Sequence, residues 1–286
     1  MTSKFLGVFV VLGVLSLALA QREAKNSFSL TKDFNVTAPI SSQAGTMSLK
    51  VVRSKKQLEV KIGGAVQQFA LETIDDSGSP AQGDVLVDDF NFDGFNDVGI
   101  PSGIGYNGVN IFYDVHQYDP KLKKLVLIPQ DNFSVGNPAF DTKNKILITN
   151  SRSGPAWYGL DYKFDNGKPW KFRARNPKLL LGFSNDQALV TQFLEYNKAG
   201  KLVSSSLQDE ESSSGLVKRV ISKKMFLYTS PKESAKTNSY IIRGDTVLIL
   251  EIFGESDVLS LQTEQWVKIA YQSQKFGRMV RWLHLK

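Results

Sequence analysis

Cysteine is absent from the 286 residues. That excludes a disulfide frame, a zinc ribbon, a thiol nucleophile and a lipidated cysteine. Histidine is nearly absent, with only His116 and His284, which leaves little material for a histidine-rich metal site. Helical periodicity is hardly found. The sequence holds no G-x-S-x-G or H-E-x-x-H motif and no clear Ser/His/Asp arrangement, and no carboxylate pair has a spacing that argues glycosidase work. His116 shares a strand face with Phe112 and Asp114 and reads as a structural or surface residue, not a base.

What is present is hydrophobic enough to fold: 42% apolar residues exclude wholesale disorder. Phe (18), Tyr (9) and Gly (22) lean toward β-structure. Short alternating runs bounded by Gly, Asn, Asp and Pro follow one another. Met47–Val52, Leu58–Ile62, Ala65–Ile74, Val85–Val87, Val109–Tyr118, Leu125–Ile128, Lys145–Asn150, Gly159–Phe164, Trp170–Ala174, Ala188–Tyr196 and Leu202–Leu207 all read as strands. The expected class is all-β: a sandwich, barrel or propeller-like array of antiparallel hairpins. Residues 21 to 41 are either a mobile start or a first strand.

The first twenty residues differ from the rest. Lys4 supplies a positive start, Phe5–Leu17 is apolar, and Ala18-Leu19-Ala20 is a small-x-small cleavage site. Residues 1–20 read as a signal peptide. The competing reading is an uncleaved anchor, although Phe5–Ala20 falls short of the ~20 residues that a spanning helix needs. Cleavage removes one charge, Lys4, takes the net charge from +7 to +6 and leaves 266 residues. The expected location is periplasmic or secreted, with no transmembrane segment after cleavage. Nucleic acid is not an expected partner. Anionic cell-wall polymers, lipid head groups or an acidic protein are better candidates. The charge is thinly spread: 21–204 carries +3, 205–224 carries +1 and 225–286 carries +2. No segment is basic enough to argue a charged groove.

A weak repeat joins Tyr118-Asp119-Pro120, Phe164-Asp165-Asn166-Gly167-Lys168 and Tyr196-Asn197-Lys198-Ala199-Gly200-Lys201. Each places an aromatic before a turn-forming Asx and then Lys. The spacing is blade-sized, although hairpins resemble one another anyway. Serine- and acid-rich residues 205–219 read as a linker. Residues 21–204 then form the larger β-domain and 220–286 a small barrel.

The strongest motif is Asp89-Phe90-Asn91-Phe92-Asp93-Gly94-Phe95-Asn96-Asp97. Oxygen donors recur at positions 1, 3, 5 and 9, with Gly at 6. Asp89, Asn91 and Asp93 converge, the Phe95 carbonyl adds a contact, and Asp97 another directly or through water. Hard oxygen donors suit Ca²⁺. Position 12 is Ile100 and the flanks are strands, so this is not an EF-hand. The competing reading is a metal-free Asx/Gly turn whose carboxylates face water. Gly103-Ile104-Gly105-Tyr106-Asn107-Gly108 spells a dinucleotide fingerprint, but a strand follows it, so it reads as a hairpin tip. Arg152-Ser153-Gly154-Pro155-Ala156-Trp157-Tyr158 presents residue types that anchor protein contacts. Arg152, Trp157 and Tyr158 are therefore candidate partner-binding residues, unless the aromatics are tucked into the core.

Two resemblances follow. Residues 69–207 resemble the exported β-propeller-like proteins with one FG-GAP/VCBS-type calcium loop, a group that includes periplasmic immunity proteins inhibiting lysozyme-like toxins. The likeness rests on Asp89–Asp97, Gly105–Tyr118, Asn137-Pro138-Ala139-Phe140-Asp141, Ser151-Arg152-Ser153-Gly154, Tyr158 and Tyr162–Lys168. Residues 225–286 resemble a bacterial Src-homology-3-like domain. The matching residues are Met225–Pro231, Ser239-Tyr240-Ile241-Ile242-Arg243-Gly244-Asp245-Thr246-Val247, Trp266–Ile269 and Gly277–Leu283. Arg281-Trp282 departs from the usual Gly-Trp ending. The resemblances imply a non-enzymatic, calcium-binding envelope protein that inhibits a peptidoglycan-cleaving enzyme. They also imply a five-stranded barrel filled by Trp266 and Trp282, able to hold a protein or a peptidoglycan component. The alternative is a calcium-dependent hydrolase of cell-envelope polymers, for which the sequence offers no base and nucleophile.

Overall fold

A computed structural model describes residues 21–73, 83–129, 131, 133–183, 189–209, 216–257, 262–273 and 276–286. The signal-peptide reading at 1–20 and the middle of the linker reading, 210–215, lie outside them. The described residues are all-β and every strand pairing is antiparallel.

In chain order the strands begin with β1 (Asn26–Ser29), β2 (Phe34–Ser41), β3 (Gly45–Val52), β4 (Gln57–Ile62), β5 (Ala65–Ala70), β6 (Asp84–Asp88) and β7 (Asp97–Gly105). Then come β8 (Asn110–Asp119), β9 (Lys124–Leu127), β10 (Val135–Gly136), β11 (Ala139–Asp141), β12 (Ile146–Ser153), β13 (Ala156–Asp165) and β14 (Lys168–Leu179). The last are β15 (Leu189–Tyr196), β16 (Leu202–Gln208), β17 (Val217–Arg219), β18 (Lys224–Tyr228), β19 (Lys236–Ile242), β20 (Thr246–Asp257), β21 (Gln262–Ser273) and β22 (Gly277–Leu285). They form four sheets. The first is the meander β2-β3-β4-β5. The second runs β1-β6-β7-β8-β10, with β9 on β8. The third is the meander β11 to β16, and the fourth runs β17-β20-β21-β22-β18-β19. None closes on itself among the described residues.

The sheets pack in series, because side chains alternate across each strand. Met47, Leu49, Val51, Leu58 and Val60 of the first sheet meet Val85, Val87, Val98 and Ile100 of the second. Leu86, Tyr113, Val115 and Val135 leave the other face of the second sheet to meet Phe140, Leu147 and Tyr162 of the third. A strand buried on both faces needs an unbroken apolar run, which Val85-Leu86-Val87 supplies. The Gln67 side chain substitutes for a strand residue. Its amide donates to the Leu125 carbonyl at 2.9 Å and accepts the Leu125 N–H at 2.8 Å, fastening β5 to β9.

All three turns of the weak repeat are hairpins: β8–β9, β13–β14 and β15–β16. Asn166 (φ 50°) and Gly167 (φ 74°) make the two-residue loop of the second. The second and third hairpins are neighbours in one sheet, so each hairpin does not mark a sheet of its own. The G-x-G-x-x-G stretch is a hairpin tip, with Gly105 opposite Asn110. Residues 34 to 41 are strand, which decides between the two readings of the start.

The linker at 205–219 needs correction at both ends. Residues 205–208 belong to β16, and β17 pairs with β20. The serines of β16 face solvent, while its backbone completes the β15 ladder, and ladder bonds need no apolar side chain. The fourth sheet also differs from the barrel expectation. It has six strands in open order, and Trp266 and Trp282 are half-buried on its outer face. Val267, Ile269, Leu283 and Leu285 occupy the inward positions, and a period of two turns their neighbours outward. The Gly244-Asp245 turn is as expected: Asp245 accepts the Ile242 N–H at 2.8 Å, and Gly244 has φ 98°.

Candidate functional site

The acidic loop leaves β6 and returns as β7, with Asp88 opposite Asp97. Its aromatic residues face inward. Phe90 is fully buried and edge-on to Phe140 at 5.1 Å, Phe92 lies between Phe140 and Phe164 at 6.4 Å each, and Phe95 leans on Tyr118 at 5.5 Å. The polar residues between them are thereby turned the other way. Phe92 (φ 61°) and Gly94 (φ 94°) take left-handed backbone. A side chain at 94 would meet no atom within 4 Å, so the glycine serves conformation rather than space. Asn96 ties the loop to β2: its backbone N–H donates to the Ile40 carbonyl at 2.7 Å and its side chain to the Pro39 carbonyl at 2.9 Å.

Asp89, Asn91 and Asp93 come together. The Asp93 N–H donates to Asp89 Oδ1 and Asn91 Oδ1, both at 3.0 Å, and Gly94 N–H to Asp89 Oδ2 at 2.9 Å. Asn91 Nδ2 donates to Asp93 Oδ2 at 3.0 Å, and Phe95 N–H to Asp93 Oδ1 at 2.9 Å. Asp97 is placed differently. It is the first residue of β7, fully buried, and its two oxygens accept the N–H groups of Phe90 (3.0 Å) and Tyr118 (2.9 Å). Among the described residues no three acid or histidine side chains are grouped so as to hold one metal ion.

The electrostatics record the crowding. Burial pushes the Asp97 carboxyl well above the usual range; the Tyr118 and Phe90 amides pull against this, and Asp93 and Asp89 add to it. Burial, reinforced by Asp93, also raises Asp89 against the pull of the Gly94 amide. Asp88 goes the other way. Burial alone would raise it, but Arg22 and the Lys25 and Asp89 amides outweigh that and hold it below the usual range. Arg22 was not singled out by sequence reasoning. Its guanidinium pairs with both Asp88 oxygens and stands 5.0 Å over the Phe140 ring, while its backbone bridges to Phe140. Arg22, Lys25, Thr142 and Lys145 line a cleft with Asp89 and Asp93. A lone Arg sixty-six positions from its partner carries no local sequence signal.

The second candidate, Arg152–Tyr158, is the β12–β13 hairpin tip, with Ser153 opposite Ala156 and Gly154 at φ 58°. Arg152 and Trp157 are brought together: the guanidinium lies 6.0 Å from the Trp157 ring and 5.5 Å from that of Tyr106. Trp157 is 48% and Tyr106 46% exposed. Tyr158 is half-buried against Ala156 and Leu179. Tyr106, on the β7–β8 tip, was missed. Its hydroxyl donates to the Gly154 carbonyl at 2.9 Å. The Asn110 side chain donates to the Arg152 carbonyl (2.9 Å) and accepts its N–H (2.7 Å), so the two tips are locked together.

His116 packs edge-on to Phe69 at 4.6 Å, and burial lowers its pKa. No helix among the described residues is long and apolar enough to cross a membrane.

No family model and no curated protein matches the chain. Among solved structures, the chain is similar to one titled "Structure of a Xanthomonas Type IV Secretion System related protein". The TM-score is 0.40 and the identity 18%, over 63% of this chain and 98% of that one.

Proposed function

We propose that the chain is an exported, calcium-binding and non-enzymatic binding protein of the cell envelope. The observation that carries the reading is the loop. Asp89, Asn91 and Asp93 offer hard oxygens within one turn, and buried aromatics hold that turn in shape. Burial is the main cause that raises the Asp89 and Asp97 carboxyls, and the added repulsion from Asp93 and, at Asp97, from Asp89 is what a bound dication would relieve. In this reading Asp89, Asn91 and Asp93 side chains and the Phe95 carbonyl hold Ca²⁺. Asp97, already taken by two amides, contributes charge more than a free oxygen. The ion would supply a fixed positive centre that rigidifies the loop.

The locked tips of Arg152 and Tyr106 support a protein-docking role, because an exposed Trp beside a pre-set Arg is an economical anchor. The sharper version is that this hairpin docks on a lysozyme-like enzyme. The serial sheets support a propeller-like array for the larger region. The Gly244-Asp245 turn supports an SH3-like relationship for the last.

Thermal melts of the chain from Gln21 onward, with Ca²⁺ and with chelator, test the metal. At a free Ca²⁺ of about 100 times Kd the expected gain is about 2.7 kcal/mol, and Asp93→Ala should abolish it. Equal melting at saturating Ca²⁺ removes the site. A panel of muramidases assayed with and without the protein tests the sharper version. Unchanged hydrolysis across the panel rejects inhibition.

A further inference from the structure

Residues 205–286 carry a net charge of only +3, yet its distribution is uneven. Residues 219–243 hold six bases (Arg219, Lys223, Lys224, Lys232, Lys236, Arg243) and one acid, Glu233. Glu233 is spoken for: Lys286 Nζ lies at 2.7 Å, His284 Nδ1 at 2.8 Å, and the Tyr228 hydroxyl donates to it at 3.2 Å. The other acids of the C-terminal part, Asp245 onward, lie outside the run.

The strand register gathers part of this run on one face. β18 pairs with β19 so that Lys224 stands opposite Ile242 and Phe226 opposite Tyr240. Met225, Leu227 and Ile241, on the alternate positions, go to the core. The outer face therefore carries Lys224, Phe226, Tyr240 and Ile242 side by side. Lys224 Nζ is 4.0 Å from the Tyr240 ring and 4.5 Å from that of Phe226, and Lys236 Nζ is 3.9 Å from Phe226 on its other flank. Among the described residues, neither lysine nor Arg243 shares an ion pair with an acid. Aromatic faces hold the ammonium groups instead, which leaves their charge uncompensated. Between the cations stand exposed apolar groups: Tyr240 is 50% and Ile242 46% exposed, and Ile221, whose carbonyl accepts from Arg243 Nε, is 45% exposed.

We propose that this face of β18 and β19 docks on an anionic lipid bilayer. Phosphate-bearing head groups would meet Lys224, Lys236 and Arg243, while Tyr240 and Ile242 enter the interface between them. Charge complementarity selects an anionic partner. The exposed Ile and Tyr select a bilayer over a hydrated polyanion, since a glycan chain offers no apolar phase for them. Lysines on flexible stems suit a fluid array of head groups better than one fixed carboxylate. The surface is separate from the acidic loop and needs no Ca²⁺.

The test is co-sedimentation of the chain from Gln21 onward, which contains every described strand, with vesicles in chelator. Vesicles of 30% phosphatidylglycerol in phosphatidylcholine should bind it at low salt and release it at 0.5 M NaCl. Pure phosphatidylcholine should not bind it. Lys224→Ala with Lys236→Ala should lower partitioning about thirty-fold, at about fivefold per lysine near the surface with the two free energies adding. Lys61→Ala with Lys201→Ala, the same charge change elsewhere, should leave it unchanged. Four results overturn the proposal: no binding to anionic vesicles, equal binding to neutral ones, unchanged binding by the Lys224/Lys236 variant, or binding to soluble alginate but not to vesicles. The first variant alters exposed side chains only, so its melting temperature should match the parent and report a folded protein.

Discussion

Removing the Arg22 guanidinium should cost the fold markedly, because it strands the Asp88 carboxylate. The Asp88 side chain is fully buried, and that of Arg22 is 30% exposed. Arg22→Ala leaves a buried carboxylate without its cation, a change that costs about 3–5 kcal/mol. The Lys25 and Asp89 amides still donate to Asp88, and Lys25 Nζ stands 3.7 Å away, so the lower end applies: about 3 kcal/mol. For a chain of this size that is a fall in Tm of roughly 6–12 °C. The sign of the pH dependence follows. The folded Asp88 carboxyl is held below its ordinary value, so the pair's contribution is complete above about pH 4 and is lost as pH falls through the lowered value. In Arg22→Ala burial acts without the cation, Asp88 takes up its proton at higher pH, and the gap to the parent narrows on acidification. Arg22→Ala with Asp88→Asn should be more stable than Arg22→Ala alone, since no charge is stranded. Scanning calorimetry at pH 7 and pH 4 reads all three. Melting of Arg22→Ala within about 1 °C of the parent at pH 7, or a gap that does not narrow by pH 4, would refute the reasoning.

Gly254→Ala should destabilise by at least about 2 kcal/mol in urea titration. Gly254 sits at φ 94°, and a Cβ would stand 2.3 Å from the Glu264 carbonyl oxygen. His116 gives a second pH effect. Burial lowers its folded pKa, so the unfolded chain binds more protons and stability falls as pH drops below about 6.5. His116→Gln should flatten the Tm change between pH 7 and pH 5.5; an unchanged slope would exclude His116 as its source. Trp157→Ala should shift Tm by no more than about 2 °C, because half of the side chain is already exposed.

Local patterns carried most of the strand reading. Leu58–Ile62 declares itself by alternation, and Asn166-Gly167 declares its hairpin by left-handed backbone alone. What was not legible depends on partners distant in sequence. The serines of β16 read as linker because composition reports side chains, while the ladder to β15 is made by backbone. The resemblance placed Trp266 and Trp282 inside a barrel, but their parity along β21 and β22 is set by Val267 and Leu283, which take the core. In the loop, the spacing of Asp89, Asn91 and Asp93 was readable and the structure brings them together. The diversion of Asp97 to the amides of Phe90 and Tyr118 was not, because Tyr118 lies twenty-one residues away on another strand. Tyr106 and Arg22 were missed for the same reason.

The core between the third and fourth sheets has a mechanical meaning. Leu180, Phe183 and Val190 pack with Leu227, Ile249, Val267 and Leu283 in one cluster. Lys178 Nζ donates to the Gly254 carbonyl at 3.0 Å, Gln192 Nε2 to that of Ile252 at 3.3 Å, and Phe183 bridges to Val220. Separating the fourth sheet from the third therefore means breaking the links of β20 to β14 and β15 and opening this cluster to water. The C-terminal portion is a poor cassette for grafting. Excised at residue 220 it would expose an apolar face shaped for Phe183, and the remainder would lose the wall that closes the end of its third sheet.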